Sequence, residues 1–167
     1  MPKKRVFLLL GSIFIVYCIY FIVHSNSHEP IPQRCISSMG NLKHIGIGLW
    51  MYAEDNNDVF PDNLEQTVVY YGKSNRDIFE SPLKPKDFDG PSYIYLSGHS
   101  YQDAKEKEKY IIAYENPEYR AEYTDDKVNT LFLDGHVERL EKEEFLFELQ
   151  KTYEHLGKPM PEIKFED

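Results

Sequence analysis

The chain lacks the motifs on which nucleophilic and phosphate chemistry usually rest. It contains no Gly-x-Ser-x-Gly elbow, no paired Cys-His signature, no glycine-rich phosphate loop and no His-Glu-x-x-His helix. Cysteine is scarce. Cys18 falls inside an apolar run and Cys35 lies just beyond it, so an internal disulfide framework is excluded even for an oxidising compartment. Positive charge is also in short supply, with 19 Lys and Arg against 28 Asp and Glu and a net charge of −9. Such a field repels phosphate backbones and anionic lipid heads, which excludes nucleic acid as an expected partner.

What is present begins at the N-terminus. Lys3, Lys4 and Arg5 precede residues 6–23, a run without a charged side chain. As a helix, ~18 apolar residues reach about 27 Å, enough to cross the hydrocarbon core of a bilayer. The basic cluster then predicts a single-pass protein of the cell membrane, with a cytoplasmic N-terminus and a periplasmic, extracytoplasmic C-terminal domain. A cleaved signal is the alternative, with Ser25 and Ser27 as small residues, but the apolar run exceeds the usual length of a signal's core. Tyr17 before Cys18 is too bulky for lipoprotein processing. Removing the three basic residues leaves −12 beyond the anchor. The expected division is 1–23 basic tip and anchor, 24–34 linker with Pro30 and Pro32, 35–157 folded domain, and 158–167 acidic tail. About 135 residues suffice for an ordinary core.

From Cys35 to about Glu54, Ile36, Met39, Leu42, Ile45, Leu49, Tyr52 and Ala53 recur at helical spacing. Gly40, Gly46 and Gly48 each weaken that helix by roughly 0.8 to 1 kcal/mol, so packing on a sheet must hold it, and a glycine-bearing face lets another backbone come close. Asp55-Asn56-Asn57-Asp58 ends it. Asp62 is the expected cap of a short helix to Tyr71, with Glu65 reaching back and Gly72 as its stop. Residues 73–90, with Pro82 and Pro85, read as a loop. Ser92–Leu96 and Lys109–Tyr114 are aromatic and β-branched strands. In the run Val128–Leu140, two further strands flank Asp134-Gly135, the signal for a two-residue type I′ hairpin. A last amphipathic helix spans about Lys142 to Leu156, with Phe145, Leu146, Leu149, Tyr153 and Leu156 on one side and Gly157 after it. The order predicts an α+β domain: helices segregated from an antiparallel sheet of about four strands.

Several of these segments carry a family resemblance. Asn41-Leu42-Lys43-His44-Ile45-Gly46, Met51-Tyr52-Ala53-Glu54-Asp55-Asn56 and Phe60-Pro61 resemble the head helix of pseudopilin-like, prepilin-type proteins, which runs Asn-Leu-Lys-Gln-Ile-Gly, Met-Tyr-Ala-x-Asp-Asn, then Pro. Ser92–Leu96, Ala113-Tyr114-Glu115 and Asn129–Val137 resemble the same group's C-terminal signature, a His, nine residues and Asp-Gly. The resemblance covers roughly residues 35–140. It implies a pilin-like head, related to type II secretion pseudopilins, in which an N-terminal helix packs on an antiparallel sheet. Together with the basic-then-apolar N-terminus, these head motifs lead to the expectation of a non-enzymatic structural or assembly role in a secretion or envelope system, with protein partners and no cofactor. The signature residues are Asn41, Leu42, Gly46, Tyr52, Asp55, Asn56, Pro61, Asp134, Gly135 and His136. The chain departs from the pattern in three places. Gly11 is followed by Ser12-Ile13-Phe14-Ile15-Val16, so the prepilin peptidase motif and its acidic residue are missing. Thr124 stands where the signature His belongs, and Ser81-Pro82 stands where relatives often have Cys-Pro.

Site chemistry competes with turn chemistry. Asp134 and His136, with Asp55, Asp58 or Asp125, offer the imidazole and carboxylate ligands of zinc or manganese, the set an exported divalent-metal-binding protein or metal-dependent enzyme would use; the Asp-Gly turn accounts for the same residues without metal. Asp55–Asp58 invites calcium, but the EF-hand template meets Val59 at an oxygen position and Phe60 at its glycine. The tyrosines leave a glycan- or peptide-binding surface as a further alternative, against the simpler role of covering a sheet face.

Overall fold

The structure is a computed structural model that describes residues 33–72, 76–100, 103, 110–119 and 126–165, all within one compact unit, Pro32–Asp167. The expected anchor at 6–23 and the linker before residue 33 lie outside them. Among the described residues no helix is long and apolar enough to cross a membrane.

The architecture is α+β. Helix α1 (Gln33–Asp55) is followed by two 3-10 helices, Leu64–Tyr70 and Arg76–Phe79. Strands β1 (Tyr93–Tyr95), β2 (Ile111–Glu115), β3 (Lys127–Phe132) and β4 (Val137–Glu141) come next, and helix α2 (Lys142–His155) last. The strands form one antiparallel sheet in the order β1-β2-β3-β4. The two long helices cover opposite faces. Leu42, Ile45, Leu49 and Ala53 of α1 pack on Tyr93, Ile112, Ala113, Leu131 and Leu133. Phe145 and Leu149 of α2 pack on Ile111, Tyr114, Val128, Phe132 and Leu140.

Consecutive strand residues should alternate between these faces, yet Ile112 and Ala113 both face α1. The register explains this: Ile111 pairs with Phe132 and Ala113 with Leu131, so Ile112 is the extra residue of a β-bulge. At the bulge, the Ile111 N–H donates to Thr152 Oγ1 of α2 at 3.0 Å. That bond fixes the C-terminal half of α2 beside the start of β2.

The buried stripe of α1 runs through Cys35, Ser38, Leu42, Ile45 and Leu49. Apolarity alone put Ile36 and Met39 there; instead Ile36 is half exposed, because Ser38 turns inward to a polar cluster in the core. Two glycines matter here. A Cβ at Gly46 would stand 3.1 Å from Leu131 Cδ1, and one at Gly48 would overlap the Tyr71 ring, whose hydroxyl donates to the His44 and Ile45 carbonyls. The close approach is by side chains, not by another backbone. The helix ends where expected, with Asn57 and Asp58 in left-handed conformations.

Four local expectations are corrected. The first 3-10 helix is capped by Asn63 with Gln66 in a reciprocal capping box, one residue later than Asp62 with Glu65. The expected loop 73–90 contains the 3-10 turn Arg76–Phe79. Residues 160–165 do more than trail: Met160, Ile163 and Phe165 pack against the α2 cluster. The hairpin also has a three-residue loop rather than a two-residue type I′ turn. Gly135 N–H donates to Phe132 O and Phe132 N–H to His136 O, each at 2.9 Å, and only Gly135 takes a positive φ (+86°). Asp134 keeps an ordinary φ, as a type I turn closed by a left-handed glycine requires. The added loop residue is Leu133, which is fully buried against the α1 face while its N–H donates to Tyr110 O. Burying that side chain outweighs the tighter turn.

Helix α2 stops as predicted. Gly157 has φ +63°, and the N–H groups of Gly157 and Lys158 bind the Glu154 and Tyr153 carbonyls, the paired bonds of a Schellman motif.

Candidate functional site

Asp134 and His136 sit together on the hairpin loop. The Asp134 carboxylate accepts the His136 backbone N–H at 2.9 Å, and the His136 Nδ1 lies 2.5 Å from the same oxygen. The imidazole stacks on Phe132 at 4.3 Å with nearly parallel rings. These contacts are those of a self-braced turn. Asp55 accepts from the Tyr70 hydroxyl, and neither it nor Asp58 joins Asp134 and His136 in a three-ligand grouping among the described residues. Asp125 and Thr124 lie outside the described residues. Asp134 and Gly135 line a 280 Å³ cleft with Gly46, Trp50 and Glu54, slightly below the size of typical ligand pockets.

Several of the remaining signature residues are joints between elements. Asn41 donates to Glu80 O at 3.0 Å and Pro61 O accepts from Tyr95 at 2.7 Å, whereas Asn56 donates to Tyr52 O at 2.8 Å within the end of α1 itself. Tyr52 meets Tyr70 edge-on. The tyrosines Tyr93, Tyr114 and Tyr119 are almost fully buried, as covers of the sheet and core.

A buried polar cluster was not anticipated. Glu115 on β2 is 5% exposed. It accepts hydrogen bonds from Ser38 of α1, Ser81, Tyr119 and Asn129 of β3, at 2.9 Å for Ser38, 3.1 Å for Tyr119 and 2.6 Å for Asn129. Burial pushes its carboxyl above the ordinary range, and the donations of Ser81 and the others pull it partly back. The same burial raises Tyr93, bonded to Ser38, to about 12. Ser81 therefore joins α1 to the sheet through hydrogen bonds, at the position where the resemblance places a cysteine.

A second constellation, also missed, gathers at the far end of the sheet. His99 follows β1, Asp103 lies in the turn after it, and His155 is the last residue of α2. One ligand atom from each lies within 4.8 Å of the others. Both backbone groups of Ile111 build the site: its N–H holds Thr152, one turn before His155, and its carbonyl binds His99 Nε2 at 3.0 Å. A carbonyl only accepts, so Nε2 carries the proton and Nδ1 a lone pair. That Nδ1 is buried and makes no hydrogen bond, a state that costs about 1 to 3 kcal/mol. Burial lowers the His99 pKa to about 4, which keeps the ring neutral. His155 Nε2 lies 3.2 Å from Asp103 Oδ1, and the other Asp103 oxygen accepts the Ser100 N–H at 2.6 Å. In the sequence, the only hint is a His and an Asp four apart; His155 is 52 residues further on.

These features define the class: an α+β domain whose four-stranded antiparallel meander is covered by one long helix on each face. No protein family, curated protein or solved structure matches the chain.

Proposed function

We propose that this is a membrane-tethered, extracytoplasmic, non-enzymatic protein with a pseudopilin-like head, serving a structural or assembly role in a secretion or envelope system. The observation that carries the proposal is α1. A 23-residue helix, placed directly after a proline linker and a basic-then-apolar N-terminus, lies against an antiparallel meander. The motif residues support it further, since Asn41, Gly46, Tyr52 and Pro61 join helix, connectors and sheet. Residues spent on joints are suited to a head that presents a surface to protein partners. Cell fractionation with protease treatment of spheroplasts tests the proposal. The expected result is a membrane-bound chain degraded beyond the linker; recovery as a soluble, protease-shielded cytoplasmic protein refutes it.

A further inference from the structure

We propose that His99, Asp103 and His155 form a binding site for one divalent transition-metal ion of the zinc class. The donors are two imidazoles and a carboxylate, the set that zinc accepts, with three protein ligands leaving a fourth position for water. Convergence alone would be weak ground, because His155 and Asp103 already form an ion pair at 3.2 Å. The unpartnered Nδ1 of His99 points further. His99 is 95% buried by its 5% exposure, and its free nitrogen is an acceptor with no donor. A cation satisfies such a nitrogen without a proton. The Nε2–H bond to the Ile111 carbonyl is the orienting contact that metal-bound histidines use, and it fixes the tautomer with Nδ1 available.

Distances and supports agree with this assignment. Tetrahedral bonds of ~2.0 to 2.1 Å place ligand atoms about 3.4 Å apart. The Asp103–His155 edge is already there, and the grouping, which lies within 4.8 Å, needs to close by up to about 1.4 Å elsewhere. Asp103 sits in a turn and His155 at a helix end, so both can supply that movement, whereas His99 is fixed. Tyr110 stacks on the His155 ring at 4.0 Å and walls the site on one side. Among the described residues, Lys158 is a cation near the site, and it donates to the Ser97 carbonyl at 2.6 Å. The site rests on no feature of the membrane-tethered reading and stands or falls separately from it.

The test uses the full chain purified in detergent, stripped with a chelator and titrated with zinc alone by calorimetry, with elemental analysis of the product. The expected result is one zinc per chain. Asp103→Asn and His155→Gln change partly exposed side chains, and each should weaken binding at least about 100-fold, the upper range for loss of a mere supporting contact. Asp134→Asn should bind zinc as the parent does. Cobalt in place of zinc should give the visible absorption of a four-coordinate ion, lost in both site variants. Absence of stoichiometric zinc, binding that survives Asp103→Asn and His155→Gln, or binding lost only in Asp134→Asn each overturns the proposal.

Discussion

Glu115→Gln perturbs a buried carboxylate whose partners come from α1, a connector and β3. The carboxyl is raised above its ordinary value of 4.5, chiefly by burial. A raised folded-state value means that its stabilising contribution is full below 4.5 and is lost as pH rises through the folded value. Each unit of elevation is worth about 1.4 kcal/mol. The variant removes that dependence. Its amide oxygen still accepts from Ser38, Ser81 and Tyr119, and its NH₂ faces Asn129, where a turn of the Asn129 amide brings Oδ1, now without a hydrogen bond, into acceptance. Near pH 8 the variant should therefore match or exceed the parent within about 1 kcal/mol. The parent should gain on it as pH falls towards 4.5. Glu115→Ala differs. It leaves Asn129 Nδ2 without its acceptor, while Tyr119 retains Ser92 O, and Ser38 and Ser81 retain each other. One orphaned donor plus the small cavity amounts to roughly 2 to 4 kcal/mol of destabilisation. Urea unfolding of the three chains across the pH range measures all of this. A parent-minus-Gln difference that is flat with pH, or a Gln variant as unstable as the Ala variant, would refute the account of the cluster.

The α1 glycines should rank by the space beside them in urea unfolding. Gly40→Ala, with nothing near its new Cβ, should stabilise by about 0.8 to 1 kcal/mol, and Gly46→Ala should lose that gain against Leu131. Gly48→Ala should be the worst of the three, since it displaces Tyr71 from two carbonyls; equal effects at the three sites would contradict the packing. On the hairpin, Gly135→Ala should cost about 1 to 2 kcal/mol from the positive φ, and Asp134→Ala about 1 kcal/mol from the lost His136 N–H acceptor. If thermal unfolding shows Asp134→Ala to be neutral, the turn account of that residue fails.

Local pattern made much of the fold legible. Alternating and β-branched residues marked the strands, Asx residues and Gly157 marked the helix ends, and the Asp134-Gly135 pair marked the hairpin. Two of the errors were of one kind. A type I′ turn and an Ile36/Met39 stripe are each the best local choice, and each gave way to a contact from elsewhere: Leu133 buried under α1, and Ser38 drawn to Glu115. The Asp62 cap gave way to an equally local pair one residue on, Asn63 with Gln66. Asp134 and His136 are neighbours in the chain and therefore visible as candidates, and in the structure their contacts with each other complete a turn.

The sequence by itself determined the strands, the two long helices and their order, because periodicity, caps and turn chemistry act over a few residues. Only the tertiary structure decided which polar groups meet. A single bulge at Ile112 turns the Ile111 N–H to Thr152, and the Ile111 carbonyl binds His99, which together bring residues 99, 103 and 155 into one cluster. An acceptor left over inside such a cluster is a property of the packing, since it depends on what each distant neighbour has already bound.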